Sequence, residues 1–333
     1  MKGRRFKSIL ICSVLLGLSA LAILSNEVYR LMSKPMLSEN SAPVTLKIDK
    51  NTTASSLVKM LESRHLIKSE RLLLALIRIQ GLAPKLKAGT YQIKPGESAQ
   101  QLLNKINSGK VLVESFRIIE GSTLTQVIVN LQKAPNLKTD YIDWHTIMAN
   151  HDSAEGLLLA DTYNYDAGSE AKPLLKLANQ KLQEYLEESW KNRSAELPYQ
   201  SSYELLIAAS ILEKESAIPD ERKIISGIIV NRIKKHMPLQ MDPTVIYGLG
   251  ENYKGKLNHE DMSVHSAFDT YANRGLPPTP IAMVGKNAID AAAHPQLSNY
   301  LYFVAKGDGT HQFSATYEEQ KEAISRYQNQ RSQ

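Results

Sequence analysis

The residue best placed for acid–base chemistry is Glu215, in the run Leu205-Leu-Ile-Ala-Ala-Ser-Ile-Leu-Glu-Lys-Glu-Ser216. Leu205 to Leu212 carry no charge and a single hydroxyl. A helix apolar on nearly every face lies inside a domain. Ser201, with Glu204 three residues on, reads as a capping box that opens this helix. Glu215 would then stack over Ile211 and Leu212, its i−4 and i−3 neighbours. A carboxyl in that position loses water, which favours its protonated form. An acid still protonated near neutral pH can serve as a general acid. The competing reading is a solvated glutamate at a helix end.

Two polar runs supply a partner surface. Gln240-Met-Asp-Pro-Thr-Val-Ile-Tyr-Gly248 places Gln240, Asp242, Thr244 and Tyr247 in and after a proline-containing turn. Phe268-Asp-Thr-Tyr-Ala-Asn-Arg-Gly-Leu-Pro-Pro-Thr-Pro280 carries Tyr271 and is stiffened by Pro277, Pro278 and Pro280. Tyrosine and glutamine in a groove suit a saccharide: an apolar face for the ring, donors and acceptors for its hydroxyls. Glu155-Gly-Leu-Leu-Leu-Ala-Asp-Thr-Tyr163 is a further candidate groove wall, or an ordinary turn and strand. No cofactor signature is present. His259 and His265 are six apart with no His-Glu-x-x-His pattern, so no zinc site is expected, and there is no Gly-rich phosphate loop or Gly-x-Ser-x-Gly elbow. Ser216 has no histidine nearby in the sequence and reads as a helix-end hydroxyl.

These residues must be positioned by a chain of 333 residues with a net charge of +6. Four of the positive charges, Lys2, Arg4, Arg5 and Lys7, lie in the first seven residues, and no later basic block is interleaved with aromatics, so nucleic acid is not the expected partner. Ser8 to Ser25 is uncharged, near the minimum length for crossing a bilayer. The basic flank precedes it, which keeps the N-terminus in the cytoplasm and sends the remainder across the inner membrane. A cleaved signal peptide is the other reading, with a shorter apolar region and an Ala-x-Ala site that is not evident here. The only cysteine, Cys12, falls inside this run, so the exported part has no disulfide, thiolate nucleophile or cysteine metal site.

After a polar linker comes an internal repeat. Leu46–Leu61, Tyr91–Ile106 and Phe116–Leu131 each show a strand, a turn residue (Asn51, Gly96, Gly121), a hydroxyl N-cap (Thr53, Ser98, Thr123) and an amphipathic helix. With a helix at Ser69–Ile79, the first two copies form a βααβ unit. Helices are expected at Leu174–Lys191, Tyr203–Ser216, Asp220–Lys235 and Gly285–Ala293, a strand at Tyr300–Val304, a turn at Lys306-Gly-Asp-Gly309 and a closing polar helix from Thr316. The expected class is α+β: a cytoplasmic tail at 1–7, a transmembrane helix at 8–27, a linker at 28–43, a small βααβ module at 44–113 and a larger, mostly helical domain with short strands at 114–333.

Several runs together resemble the YceG-like family of endolytic murein transglycosylases (MltG). They are Ala209-Ser-Ile-Leu-Glu-Lys-Glu-Ser216, Asn231-Arg232, Asp242-Pro-Thr-Val-Ile-Tyr-Gly248, Thr270-Tyr271, Gly275-Leu-Pro-Pro278, Ala291-Ala-Ala-His-Pro295 and Tyr300-Leu-Tyr-Phe-Val304. The family has a LysM-like region, which Ile93-Lys-Pro-Gly-Glu-Ser98 resembles. The resemblance implies a membrane-anchored lytic transglycosylase that cuts peptidoglycan glycan strands internally between muramic acid and glucosamine. It leaves 1,6-anhydro-N-acetylmuramic acid ends. The family's catalytic glutamate, followed by Thr or Ser, maps onto Glu215; Glu213 is its rival in the same motif, rotated about 200° away along a helix. Gln240, Asp242, Thr244, Tyr247 and Tyr271 are the expected substrate contacts, and peptidoglycan synthases (penicillin-binding proteins) and membrane lipid the expected neighbours. Departures from the family pattern are Ala160 for a proline, Thr279 for a glycine and Gln320 where histidine is common. Two other functions fit the same residues: a two-carboxylate glycan hydrolase using Asp242 or Asp269, and a wall-binding scaffold without catalysis.

Overall fold

The computed structural model describes residues 2–264 and 266–330. The chain divides into two compact units, one of residues 1–114 with 165–169, the other of residues 115–164 with 170–333. His265 lies outside the described residues.

The first unit opens with α1 (Lys2–Ser33), which continues past the 8–27 span read from the sequence. Its stretch Leu10–Ser33 is long and apolar enough to cross a membrane, with Leu15, Leu16 and Ile23 facing outward. Then come β1 (Val44–Ile48), α2 (Ala54–Ser63), α3 (Glu70–Ile79), β2 (Gly89–Ile93) and α4 (Ala99–Ser108). β1 and β2 pair antiparallel, Val44 opposite Ile93 and Ile48 opposite Gly89, giving the βααβ order. Leu46, Leu57, Leu61, Ile77, Tyr91 and Ile106 form a core from which water is excluded. The Tyr91 hydroxyl in that core donates to the carbonyls of Lys87 and Ile106. The repeat's local chemistry is visible: Asn51, Gly96 and Gly121 all have φ between 69° and 85°. Thr53 and Ser98 cap α2 and α4 through their hydroxyls, Ser98 as a full capping box.

β3 (Val113–Arg117) leads to α5 (Leu124–Gln132), capped by Thr123 in a second full box. A short α6 (His145–Met148) and β4 (Thr162–Asp166), which pairs with β3, precede the long α7 (Ala171–Lys191). The second unit is then built around α8 (Ser202–Glu215), whose residues from Leu205 to Glu213 are all buried. α7, α9 (Pro219–Lys234), α10 (Asp242–Leu249) and α11 (Lys286–Ala293) all pack on α8, as a helix with no polar face requires. Ser201 caps α8 by accepting from the Glu204 N–H, but Glu204 returns its bond to Gln200 rather than Ser201, so the box is only half closed. Gly227 is needed where α9 passes the 296–298 segment, since a Cβ there would meet the Gln296 carbonyl at 2.3 Å. The chain ends with a hairpin, β5 (Tyr302–Ala305) and β6 (His311–Ser314), and α12 (Tyr317–Gln330).

Two local differences from the sequence reading bear on the site. The turn expected around Pro243 is the first turn of a helix, α10, because proline's fixed φ and missing N–H suit that position. The strand β6 has no counterpart in the sequence reading: four residues, His-Gln-Phe-Ser, show no alternation that would announce them.

Candidate functional site

α8 ends at Glu215, and the side chains around it hold that end still. Glu213, one turn-face away, is turned into the core: its Oε1 receives the Arg222 Nη2 and its Oε2 the Gly285 N–H at 2.8 Å. Burial pushes this carboxyl up, while the Gly285 N–H and the Arg222 charge pull against it. Arg222 also donates through Nε to the Ser216 carbonyl at 2.6 Å. The Ser216 hydroxyl accepts from the Ile218 N–H and donates to Glu221. In Glu-Lys-Glu-Ser, Glu213 and Ser216 are thus committed to structure, and the helix-end reading of Ser216 describes its bonds.

Glu215 is different. Its carboxyl has no hydrogen-bond or ion-pair partner among the described residues, and it is half-buried in a groove of about 460 Å³. Desolvation, and behind it the Asp242 charge, push its pKa up to about 8. Protein packed around the carboxyl strips it of bulk water while one side stays open to a ligand. This combination is what a general acid at neutral pH requires.

One part of the groove lining comes from the loop before α10. Gln240, exposed, sits at φ 54° in the left-handed region, a conformation that costs a residue with a Cβ about 1–3 kcal/mol. Its N–H donates to the Thr270 carbonyl at 3.0 Å, and its Oε1 accepts from Arg232 Nη1 at 2.9 Å. Asp242 at the first turn of α10 accepts from the Tyr271 hydroxyl at 2.6 Å. Burial, and after it that bond, raise the phenol's pKa, so Tyr271 stays a donor.

Another part comes from the C-terminal hairpin and α12: Tyr302, Phe303, His311, Tyr317 and Gln320. Arg232 joins the two parts. From α9 it donates to the carbonyls of Pro238, Leu239 and Leu301, and its guanidinium lies 5.1 Å from the Tyr302 ring centre. His311 is tied to α9 by Glu221, whose carboxylate takes the His311 N–H at 2.9 Å and lies 2.7 Å from its Nδ1. Gln320 donates to the Phe303 carbonyl, and its buried Oε1 has no hydrogen-bond partner among the described residues.

The structure therefore brings Glu215, Gln240, Asp242 and Tyr271 into one groove. It places the other two expected contacts elsewhere. Thr244 is fully buried, its hydroxyl donating to the Met241 carbonyl and bonded to Thr270. Being on the inner face of α10, it holds the 270 loop against the helix. Tyr247 lies one helical turn further on, lines a different cavity, and donates to Glu155 at 3.2 Å. Asp269 is buried with its Oδ1 accepting the Tyr271 and Ala272 N–H groups, which removes it from the groove. The sequence reading missed Arg232, His311, Tyr317 and Gln320 as site residues. Arg232 lies in a helix that also carries Asp220, Glu221, Arg222, Lys223 and Lys234, so its type alone did not single it out; the others come from a hairpin and helix whose placement no local pattern announces.

The sequence profile of the YceG-like family matches residues 46–326. The chain belongs to this family. The endolytic murein transglycosylase of Bacillus subtilis is 28% identical over 322 residues, covering 88% of this chain and 87% of its relative. That of Streptococcus pneumoniae is 27% identical over 266 residues, covering 66% of this chain but 46% of the longer pneumococcal protein. The crystal structure of a yceG-like protein of Listeria monocytogenes aligns with a TM-score of 0.52 at 27% identity, covering 85% of this chain and 99% of the other. Among YceG-like proteins, then, this one resembles its relatives through both units, since the profile begins at β1 and ends in α12.

Proposed function

We propose that this protein is an endolytic peptidoglycan lytic transglycosylase, with Glu215 as its general acid and then its general base. The observation that carries the reading is Glu215 itself: a carboxyl with no internal partner, open to a groove lined by tyrosines and amides, with its pKa raised to about 8. Two relatives bearing the name endolytic murein transglycosylase support the substrate class.

In this mechanism the protonated Glu215 gives its proton to the glycosidic oxygen between N-acetylmuramic acid and N-acetylglucosamine. The C1–O bond breaks and its electron pair leaves with the departing sugar. The oxocarbenium-like or acetamido-assisted centre at C1 is then attacked by the muramic acid's own C6 hydroxyl, whose proton returns to Glu215. The new C1–O6 bond closes a 1,6-anhydro end, no water is consumed, and the carboxyl is regenerated. Gln240, Tyr271 and Tyr302 supply a hydrogen-bonding and aromatic lining for the sugar. Aimed at purified glycan strands, wild type yields products lighter by one water than hydrolytic ones, and Glu215→Gln abolishes cleavage while strand binding persists. Products carrying only reducing ends would overturn the lytic mechanism.

One observation favours a second reading. Asp242 shares the groove with Glu215, so a hydrolase using both carboxylates is the rival. The Tyr271 hydrogen bond on Asp242 weighs against its serving as a free base or nucleophile. We further read α1 as a single inner-membrane anchor with a cytoplasmic N-terminus, which leaves the βααβ part of the first unit and the second unit outside. The βααβ unit is read as a LysM-like glycan-binding module, and the substrate as strands newly made by peptidoglycan synthases at that membrane.

A further inference from the structure

The first unit carries an apolar helix face that its own core does not use. On one side α3 buries Leu73 and Ile77, 1% and 0% exposed, in the βααβ core, with Leu74 packed beside them. The opposite side presents Leu72, Ala75, Leu76 and Ile79, spaced i, i+3, i+4 and i+7. None of these four belongs to the core, and Ile79 is 82% exposed. Such a face calls for a cover. Arg71 and Arg78, exposed and seven residues apart, run along its flank, and Lys68 lies just before the helix. Among the described residues none of these three cations is in an ion pair, and Glu27, close to Lys68 and Arg71, is taken by Arg30 at 3.3 Å.

The neighbouring helix says what the cover is. An open cleft of about 800 Å³ separates α3 from α1, with Ala20, Ile23 and Leu24 on one wall and Leu72 and Ala75 on the other. Ala20, Ile23 and Leu24 belong to the uncharged run that ends at Ser25. Glu27, the first charge beyond it, lines the cleft together with Lys68 and Arg71. The βααβ fold is seated directly on the end of α1: Leu31, Met36 and Leu37 pack against its core, and the Met36 N–H donates to the Glu97 carbonyl at 2.7 Å. The start of α3 is fixed too, the Ser69 hydroxyl accepting from the Leu72 N–H and the Glu62 carboxylate from the Glu70 N–H. With α1 across a bilayer, the apolar face of α3 therefore meets hydrocarbon where the uncharged run of α1 ends, and its basic flank meets the headgroups. An apolar face beside a basic flank is the composition of a helix lying in a membrane interface, and phosphate headgroups are what such cations attract.

We propose that α3 lies in the outward leaflet beside α1, with phospholipid acyl chains filling the cleft between the two helices and anionic headgroups held by Lys68, Arg71 and Arg78. The proposal rests on the anchor reading of α1. One face of a ten-residue helix is too small to hold the protein on a membrane alone, so α1 remains the tether and α3 fixes how the βααβ fold is turned on the lipid surface.

The test uses the full-length protein in lipid nanodiscs that hold one copy each, made of phosphatidylcholine with or without phosphatidylglycerol. Cys12→Ser removes the only cysteine, and Leu24→Cys, Ala75→Cys or Ile79→Cys then carries a nitroxide label. Collisions with oxygen, which concentrates in lipid, are compared with collisions with a water-soluble nickel complex. Oxygen is expected to dominate at positions 24, 75 and 79. Lys68→Glu with Arg71→Glu and Arg78→Glu is expected to raise nickel collisions at 79 at least about threefold in discs containing phosphatidylglycerol, and to leave position 24 unchanged. All three side chains are exposed, and a thermal melt verifies that this variant is folded. Nickel dominating at 75 and 79 while oxygen dominates at 24 would overturn the proposal and leave the anchor reading standing. Nickel dominating at 24 would overturn both. Shielding of 75 and 79 from both reagents would mean that protein covers the face, and would overturn the proposal. No response to either the charge reversal or phosphatidylglycerol would overturn the headgroup assignment.

Discussion

Glu213 and Glu215 are two residues apart and of one type, yet the fold gives them opposite roles. Glu213 faces inward to Arg222 and the Gly285 N–H, and Glu215 faces a groove with no hydrogen-bond or ion-pair partner among the described residues. The unpaired carboxyl has a stability consequence. Between its ordinary value of 4.5 and about 8, the folded protein holds a proton that the unfolded chain has released. Stability must therefore fall as pH rises through that window, and the contribution present at low pH is gone above about 8. Glu215→Gln removes this slope, so its melting temperature should equal or exceed that of wild type most clearly at pH 8–9, by a few degrees. Calorimetry from pH 5 to 9 checks this, and parallel curves for the two proteins would contradict it. Asp242 acts on the same proton. Its negative charge raises the Glu215 pKa, so Asp242→Asn should lower it. Because the protonated form is the active acid, the alkaline limb of the kcat profile should move to lower pH in that variant. On the hydrolase reading the same substitution would instead abolish turnover at every pH.

At the scale of elements, the end of α8 is held by α9. Arg222 clasps Glu213 and the Ser216 carbonyl, and Glu221 clasps Ser216 and His311. Glu213→Ala leaves the Arg222 guanidinium buried without its counter-ion, a change expected to cost about 3–5 kcal/mol. Urea unfolding would register this as a lower midpoint, and an unshifted midpoint would show that the clasp is not needed. The expected helices of the larger domain and the three capped repeat units were legible because each has a local signature. Ser98 and Thr123, read as hydroxyl N-caps, close full capping boxes with Gln101 and Gln126 in the structure. The helix of α10 was not legible as such, since a proline at its second residue reads equally as a turn. The strand carrying Tyr302 and the closing helix carrying Tyr317 were legible as elements, but the groove's Tyr302, His311 and Tyr317 were not legible as a set, because the four-residue β6 that carries His311 has no periodic signal and the three meet only through packing.

For the whole molecule, the anchor reading of α1 gives it and the second unit separable tasks, an expectation that a deletion tests. A chain lacking residues 2–33 should leave the membrane fraction while retaining cleavage of soluble glycan strands to within about threefold, because none of the groove residues belongs to α1. Fractionation and a product-mass assay check the two halves of this expectation. Loss of cleavage would mean that the anchor does more than tether.

What the sequence determined alone is what depends on near neighbours: an uncharged span from Ser8 to Ser25, capped helices, an α8 apolar from Leu205 to Leu212 that had to be central, and a glutamate stacked over its last apolar turn. What only the tertiary structure decided is which of two neighbouring glutamates meets the groove, that Thr244 is buried, and that Tyr247 serves a second cavity. The physical reason is range. Caps and helical periodicity are set within four residues, whereas the water around a carboxyl depends on Asp242, Tyr271 and a hairpin nearly a hundred residues away, brought together by packing on α8.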